Sequence, residues 1–206
     1  MSALFVGVAG GSGSGKSTLT RALWSRYPSM VTVVPHDAYY RPLTEAQRRT
    51  VDAHNFDHPD ALETDRLCRD LDDLAQGLSV RVPHYDFATH ARVPKGKWGE
   101  LRPAPLVVVE GILVLVDPEL RQRLDRSVFV EAEESIRVSR RVERDAVSRG
   151  REESAVRAQL ARTVLPMHRK YVGPSKVYAD LLLDGTAPIE EGLAQLEALL
   201  GLTQDI

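Results

Sequence analysis

A stretch near the start of the chain carries the residue types that bind nucleotide phosphates. Residues 10–17 read Gly-Gly-Ser-Gly-Ser-Gly-Lys-Ser and fit the pattern G-x-x-x-x-G-K-[ST]. Glycines permit backbone conformations in which successive N–H groups point at phosphate oxygens, and Lys16 adds a positive charge near the β- and γ-phosphates. The Ser17 hydroxyl is placed to bind Mg²⁺, and the N-terminus of a following helix adds its dipole. The stretch predicts a nucleoside triphosphate site rather than a flexible Gly/Ser turn.

Two acidic side chains come at the ends of predicted buried strands. Asp37 follows the strand 31–34, and Glu110 comes directly after the strand 106–109. Ligands of open α/β sheets lie beyond the carboxyl ends of the strands, so both acids are expected to face the phosphate loop. We interpret Asp37 as a general base for a substrate hydroxyl and Glu110 as an acid on the Mg²⁺ side. The alternative is that Asp37 and Glu110 are simply solvated at the strand ends or cap helices.

A third acid, Asp57, stands just ahead of a predicted helix over residues 60–76. Asp60 is explained as the N-cap of this helix, and Glu63 would complete a capping box. Asp57 lies outside the helix and has no such structural explanation, so it is a candidate binding residue.

Six arginines fall within fifteen residues of a predicted helix and its end. They are Arg137, Arg140, Arg141, Arg144, Arg149 and Arg151, of which the first, third and fourth share one helical face. A solvated face with Glu143 and Asp145 as partners is the ordinary explanation of a charge run. However, the cluster ends at Gly150, a hinge-like break, and phosphoryl transfer needs mobile cations over the γ-phosphate. We therefore predict a lid over residues 133–159.

Aromatic and histidine side chains form another patch, at residues 84–87 and His90, after a predicted strand. An aromatic face with a polar ring suits a stacked base, although a core cluster would look the same. The six histidines do not form a metal set, so no histidine metal site is predicted.

Strands and helices alternate along the chain, which predicts a five-stranded parallel sheet with helices on both faces. Core strands are predicted at 4–9, 31–34, 106–109, 128–130 and 181–183, and helices at 16–26, 60–76, 133–148, 152–171 and 189–200. Residues 38–59 show no period and are interpreted as a long functional loop. Residues 79–82 and 97–101 predict a hairpin-like β excursion, and Pro166 should bend its helix.

Composition excludes several classes of protein. The chain has 206 residues and 43% hydrophobic residues, enough for the core of one domain. Its net charge of −2 argues against nucleic-acid or polybasic membrane binding. The single cysteine, Cys68, excludes an internal disulfide framework and a cysteine zinc cluster. No apolar run approaches the roughly 20 residues that span a bilayer, and no basic leader is visible, so a soluble cytoplasmic protein is expected.

Together these stretches resemble the uridine–cytidine kinase family, within the phosphoribulokinase/uridine kinase group of P-loop kinases. The matching pieces are 10–18, 36–41, 55–61, 83–87 with His90 and Arg92, 110–113, 140–145, 149–151, 174–176 and 179–180. They follow the family's order, and the blocks 55–61 and 83–90 are the specific ones. One departure is Ala38-Tyr39, where relatives often carry Ser-Phe.

The resemblance implies a role for each matched residue. Asp37 would take the proton of the 5′-hydroxyl, Asp57 would bind the ribose hydroxyls, and Tyr85 with His90 would contact the base. The implied sets are, for catalysis, Lys16, Asp37, Arg144 and Arg149; for the donor nucleotide, Gly10, Gly11, Ser12, Gly13, Ser14, Gly15, Lys16, Ser17 and Thr18; for the nucleoside, Asp37, Asp57, Tyr85, His90, Arg141, Arg151 and Gln159; and for Mg²⁺, Ser17, Asp37 and Glu110. Family members tend to be tetramers, which implies a homo-oligomer.

We therefore expect residues 1–206 to form a single P-loop kinase domain, with a nucleoside-binding β excursion at 79–101. It would transfer phosphate from ATP or GTP to the 5′-hydroxyl of uridine or cytidine. A kinase acting on phosphoribulose or nicotinamide riboside is the nearest alternative, but a sugar phosphate has no base to stack on the Tyr85/His90 patch. A GTP-binding switch protein reads guanine with Asn-Lys-x-Asp, and the only asparagine, Asn55, is followed by Phe56.

Overall fold

The computed structural model describes residues 3–51, 54–86, 89 and 91–202, without the side chains of 148 and 149. Its strands are β1 (Leu4–Gly10), β2 (Val31–Pro35), β3 (Val80–Val82), β4 (Tyr85–Asp86), β5 (Ala91–Arg92), β6 (Gly99–Leu101), β7 (Leu106–Glu110), β8 (Arg126–Glu131) and β9 (Leu181–Asp184). Its α-helices are α1 (Lys16–Arg26), α2 (Glu45–Arg49), α3 (Thr64–Ala75), α4 (Pro118–Arg121), α5 (Glu134–Arg149), α6 (Glu153–Gln159), α7 (Leu165–Met167) and α8 (Ile189–Leu200).

The central sheet has five strands in the order β2-β7-β1-β8-β9, and every neighbouring pair is parallel. Valines of β7 and β8 are buried on both faces, which is typical of a parallel sheet covered by helices on both sides. One face packs against α3 and the other against α1 and α8. The predicted fold class is confirmed, and the carboxyl ends of β1, β2 and β7 meet at one edge.

The β excursion is confirmed as a separate small unit beside the central sheet. β3 pairs antiparallel with β6, and the two-residue strands β4 and β5 pair with each other inside that span. None of the described helices is long and apolar enough to cross a membrane.

The predicted start of α3 is wrong. The helix begins at Thr64 rather than Asp60, and its N-cap residue, Glu63, makes no side-chain cap hydrogen bond. The preceding residues are extended because they pair with the segment around Tyr39: Leu62 forms an antiparallel bridge with Tyr40, and the Glu63 N–H donates to the Tyr39 carbonyl at 2.9 Å. Asp60 lies instead in a 3₁₀ turn, where its N–H donates to the His58 ring. Tertiary pairing thus overrides the local capping signal.

Two further predictions of local structure need correction. Residues 38–59 are not all loop, because α2 forms within them behind a capping box made by Thr44 and Gln47. The predicted helix 152–171 is interrupted, because π-helical turns at Leu160–Val164 and His168–Val172 flank the short helix that contains Pro166. Proline removes one helical N–H and crowds the preceding turn, so the expected bend is taken up as wide turns.

Candidate active site

The glycine-rich stretch forms the connection between β1 and α1, as predicted. Gly10 ends β1, residues 11–15 form the loop, and residues 16–18 form the first turn of α1. Gly13 has a φ of 81°, and a Cβ there would lie 2.4 Å from the carbonyl oxygen of Arg137, so a larger residue would clash. No described side chain caps α1. An anion can therefore meet the positive end of the helix dipole directly.

Two acids and two loop side chains meet at the carboxyl end of the sheet. Ser17 Oγ donates to Glu110 Oε1 at 3.1 Å, and Lys16 Nζ lies 3.6 Å from the same oxygen. Glu110 pairs with Pro35 at the end of β2, and Asp37 follows in the 3₁₀ turn His36–Tyr39. Asp37 and Glu110 thus line one cleft with the phosphate loop, as the parallel topology requires.

This first cleft lies at the carboxyl ends of β2 and β7, where Pro35 and Glu110 line it. It combines acids at the strand ends with arginines from the predicted lid. Its lining residues are Ser12, Lys16, Ser17, Pro35, Asp37, Tyr40, Phe56, Asp57, Glu110, Ile112, Arg141, Arg144, Arg151 and Gln159. The structure therefore brings together most of the acidic and basic residues that the sequence analysis selected.

Asp57 is a buried carboxylate in the wall of the first cleft, with 5% of its surface exposed. Burial raises the pKa of this carboxyl, while the nearby Arg141 guanidinium and a hydrogen bond from the Thr163 hydroxyl act in the opposite direction. Its backbone N–H donates to the Asn55 side chain at 3.2 Å, which fixes the turn. The sequence analysis missed Thr163, which stands four residues beyond Gln159.

Tyr40 and Phe56 supply the aromatic lining of the first cleft. Their rings meet edge to face with centroids 5.9 Å apart. Tyr85 is buried against Tyr40, with ring centroids 5.2 Å apart, and is not among the described lining residues. His90 lies outside the described residues. Base contact by Tyr85 and His90 therefore stays a prediction. The sequence analysis did not select Tyr40 and Phe56, although their closeness to Asp37 and Asp57 along the chain could have indicated them.

Arginines of the predicted lid form another wall of the first cleft. Arg141 Nη1 donates to Ser12 Oγ at 2.9 Å, which joins α5 to the phosphate loop. Arg151 Nη1 donates to Gln159 Oε1 at 2.7 Å, and Arg141 Nη2, from the other side of Gly150, donates to the same oxygen at 3.4 Å. Arg149 ends α5, and its side chain lies outside the described part of the structure.

Arg137 does not join this wall, although its helical spacing places it on the same face of α5. Its side chain is buried against the phosphate loop, and its Nε donates to the Ala132 carbonyl at 3.0 Å. Burial lowers the pKa of this guanidinium from its ordinary value. Arg137 therefore supports the loop from behind and does not reach the cleft.

A second cleft shares Lys16, Ser17 and Arg144 with the first. Its remaining lining residues come from the phosphate loop, α1, β8, α5, β9, α8 and the segment between β9 and α8, namely Gly13, Gly15, Thr18, Leu19, Arg21, Val130, Arg140, Leu183, Asp184, Gly185, Ala187, Pro188, Ile189 and Gly192. Arg140 Nη1 donates to the Gly185 carbonyl at 2.8 Å, which closes one side of this cleft. The sequence analysis selected no binding residue within 184–192, although it predicted the helix that begins at residue 189.

The oxygens around Ser17 suit Mg²⁺. This ion takes oxygen ligands and is commonly held by one or two carboxylates, with waters and substrate phosphates completing its shell. Ser17 and Glu110 are in hydrogen-bond contact, and Asp37 lines the same cleft. No group of three or more His, Cys, Asp or Glu residues among those described could hold a metal ion alone.

Residues 5–188 match the family model of the Phosphoribulokinase / Uridine kinase family. The chain belongs to this family. It is 40% identical over 205 residues to the uridine kinase of Chloroflexus aurantiacus, which covers 97% of both chains. It is 38% identical over 200 residues to the uridine kinase of Streptococcus mutans, covering 95% of this chain and 90% of that one. The resemblance drawn from the motifs is confirmed.

The solved phosphoribulokinase of Rhodobacter spheroides has the same fold as this kinase, with a TM-score of 0.63. The two are 15% identical, and the match covers 91% of this chain and 74% of that one. This likeness supports the P-loop kinase architecture.

Tyr39 anchors the turn that carries Asp37. Its side chain is fully buried, and its hydroxyl donates to Asp70 Oδ2 at 2.8 Å. Arg92 donates to the Tyr39 carbonyl at 3.1 Å and to Glu63 at 2.7 Å. The hydroxyl thus adds a link between the Asp37 turn and α3.

Tyr39→Phe is expected to cost about 1–2 kcal/mol of folding free energy, since the half-buried Asp70 carboxylate loses a donor. Turnover should change by about twofold or less, because the ring and the Arg92 contact remain. Chemical denaturation and kcat of the same preparation would check this prediction. An unchanged unfolding free energy would show that the hydrogen bond contributes nothing net.

Proposed function

We propose that this kinase phosphorylates the 5′-hydroxyl of uridine and cytidine. The observation that carries the proposal is that two clefts meet at Lys16, Ser17 and Arg144. In phosphoryl transfer the attacking and leaving oxygens lie roughly in line, so acceptor and donor must approach the phosphate from different sides. The first cleft would hold the nucleoside, and the second would hold the donor nucleotide.

In the first cleft, Asp37 would accept the proton of the 5′-hydroxyl as that oxygen attacks the γ-phosphorus. Asp57 is suited to the ribose hydroxyls, because a buried carboxylate can accept hydrogen bonds from both. Arg141, Arg151 and Gln159 line the same cleft and would brace the sugar. Tyr40 and Phe56 offer ring surfaces for the base, together with the predicted contacts of Tyr85 and His90.

In the second cleft, the phosphate loop would hold the triphosphate of ATP. Lys16, Arg144 and Arg149 would offset the charge that develops on the transferred phosphoryl group. We propose that the base and ribose of the donor lie in the second cleft beside the contact of Arg140 with Gly185, next to residues 187–189. ATP is the donor that the family implies, and GTP is proposed as an alternative donor for the same cleft.

Ser17, Asp37 and Glu110 would hold Mg²⁺ together with phosphate oxygens of the donor. The bound ion supplies charge neutralisation to the transferring phosphoryl group. Glu110 already accepts a hydrogen bond from Ser17, so the protein contributes a preformed pair of oxygens to this site.

From the family resemblance alone, we also propose a cytoplasmic homotetramer that acts in pyrimidine salvage, with no nucleic-acid or membrane partner. Light scattering of the purified protein would test its assembly.

Phosphoribulose is a poorer candidate acceptor. It has no base for the ring surfaces of Tyr40 and Phe56. Nicotinamide riboside keeps a ribose and a ring, so it belongs in the same assay. The test is kcat/KM for uridine, cytidine, deoxyuridine, adenosine, nicotinamide riboside and ribulose 5-phosphate at fixed ATP. Uridine and cytidine should lead, and efficient phosphorylation of adenosine or ribulose 5-phosphate would contradict the proposal.

Residues 133–159 are expected to close as a lid when both substrates are bound. Arginines of this segment line both clefts, and helix α5 ends at Gly150, which has a φ of 59°. Hydrogen exchange across the segment should slow on adding uridine with a non-hydrolysable ATP analogue, while α3, which lines neither cleft, serves as the internal control. Equal exchange with and without the ligands would contradict the lid.

A further inference from the structure

Asp145 is a carboxylate with no exposed surface, and three arginine side chains of the predicted lid surround it. Arg144 donates to its Oδ1 from Nε at 3.0 Å and from Nη2 at 2.7 Å. Its Oδ2 lies 3.4 Å from Arg151 Nη1 and 3.6 Å from Arg141 Nε. The sequence allowed Asp145 to be a partner on a solvated face, but the structure buries it beneath the arginines.

The chain around Asp145 is also fixed to it through the backbone. Its carbonyl accepts the N–H of Gly150, where α5 ends, and the N–H of Arg151 at 3.1 Å. One residue therefore joins the end of α5 to the start of the next segment, through its backbone and its side chain.

Burying an ionised carboxylate is costly unless cations compensate it, and the arginines do so here. The arginines also depend on Asp145, and this dependence matters more for function. Three guanidinium groups that contact one carboxylate repel one another, and without this common anion they would turn away from one another. Asp145 is thus the charge that allows these cations to converge.

The three arginines are the ones that line the first cleft, and Arg144 lines the second cleft as well. Arg151 and Arg141 both lie within hydrogen-bond distance of Gln159 Oε1, at 2.7 and 3.4 Å. Asp145 itself is not among the described lining residues of either cleft. It therefore stands behind the wall that would face the sugar and the phosphates.

We propose that Asp145 is a positioning residue that sets the guanidinium groups of Arg141, Arg144 and Arg151 for the nucleoside and for the transferred phosphate. This inference rests on the proposed function. Arg141 and Arg151 act at the sugar through Asp57 and Gln159, so Asp145 controls discrimination of the 2′-hydroxyl without touching the nucleoside. Arg144 exchanges part of its contact with Asp145 for phosphate when the donor binds.

The test compares Asp145→Asn with Glu143→Gln, a matched loss of one charge at an exposed position of the same helix. The readout is the ratio of kcat/KM for uridine to that for deoxyuridine, measured on one preparation. Misfolded protein lowers both values equally, so a purely structural role leaves the ratio unchanged. Asp145→Asn should lower the ratio by about tenfold, since displacing a contact by about 1 Å costs up to about 10²-fold. Glu143→Gln should keep it within about twofold.

Asp145→Glu keeps the negative charge but moves the carboxylate by one methylene, and it decides the case if the asparagine variant does not fold. This variant should fold and still lower the ratio by about threefold or more, by the same displacement argument. A wild-type ratio in the folded variants would overturn the positioning role. Wild-type protein that fails to phosphorylate uridine would instead overturn the proposed function.

Discussion

Asp37→Asn is expected to lower kcat for uridine by about 10²–10⁴-fold, the usual contribution of a general base, and by more if Mg²⁺ binding also weakens. Asparagine keeps the shape of the side chain but cannot take the proton of the 5′-hydroxyl. Asp37 lines the cleft beside Lys16 and Ser17, so its loss acts where the phosphoryl group moves. Steady-state kinetics at saturating uridine and ATP would measure the effect.

The matched control for this variant is Asp60→Asn, because the Asp60 side chain is 91% exposed and lies outside both clefts. It should keep kcat within about twofold of wild type. Binding of uridine to Asp37→Asn, measured by calorimetry, should persist, because the ribose contacts assigned to Asp57 remain. Near-normal turnover in the Asp37 variant would remove Asp37 from the base role.

Asp57→Asn is expected to lower the preference for uridine over deoxyuridine from about 10²-fold or more towards unity. The wild-type preference follows because a buried carboxylate built to accept a hydroxyl is left unpaired when that hydroxyl is missing. The amide accepts more weakly and adds donors that meet the wrong partners. Measuring kcat/KM for both nucleosides on each protein gives the ratio directly.

The same variant should be as stable as wild type or more stable at neutral pH. Burial raises the Asp57 pKa above its ordinary 3.8, so the ionised carboxylate costs folding free energy once the pH exceeds the raised pKa. The favourable contribution of the protonated form is complete only below the ordinary value. Melting temperatures from pH 4 to pH 8 should therefore show the asparagine variant gaining on wild type as the pH rises. A variant that is less stable at pH 8 would contradict this sign.

Thr163→Val separates the effect of the hydroxyl from that of the charge, because valine keeps the side-chain shape but removes the hydroxyl that lowers the Asp57 pKa and that donates to the Gln159 carbonyl at 3.3 Å. It should weaken the 2′-hydroxyl preference by less than Asp57→Asn does. A loss as large as that of the aspartate variant would mean that Thr163 contacts the nucleoside itself.

The sequence predicted what depends on local pattern and on the geometry of parallel sheets. The glycine stretch and α1 follow from a strand–loop–helix pattern, and the observed helix starts at Lys16 as predicted. Asp37 and Glu110 could be placed at one edge because parallel strands end together. Asp57 was selected by its place ahead of a predicted helix and by the resemblance in residues 55–61, but neither of these predicted that burial would raise its pKa.

Other features depend on contacts between distant segments and left no local signal. The start of α3 moved because residues 61–63 pair with Tyr39–Arg41, some twenty positions earlier. Arg140 donates to the carbonyl of Gly185, and Thr163 acts on Asp57 from a π-helical turn. Helix propensities of the residues do not predict such a turn. A charged helix face is ordinarily interpreted as solvated, but Asp145 in this face is buried. Its neighbours in space are arginines of α5 and Arg151, which follows the end of α5 at Gly150.

The central claim is that the two clefts join a pyrimidine nucleoside to the triphosphate of ATP, and its most direct test is the dependence of ATP consumption on added nucleoside. Purified protein with ATP and Mg²⁺ should release little ADP alone, and adding uridine or cytidine should produce ADP and the 5′-monophosphate in equal amounts, both followed by chromatography. ADP release that is unaffected by uridine and cytidine, or that yields no nucleoside monophosphate, would contradict this account.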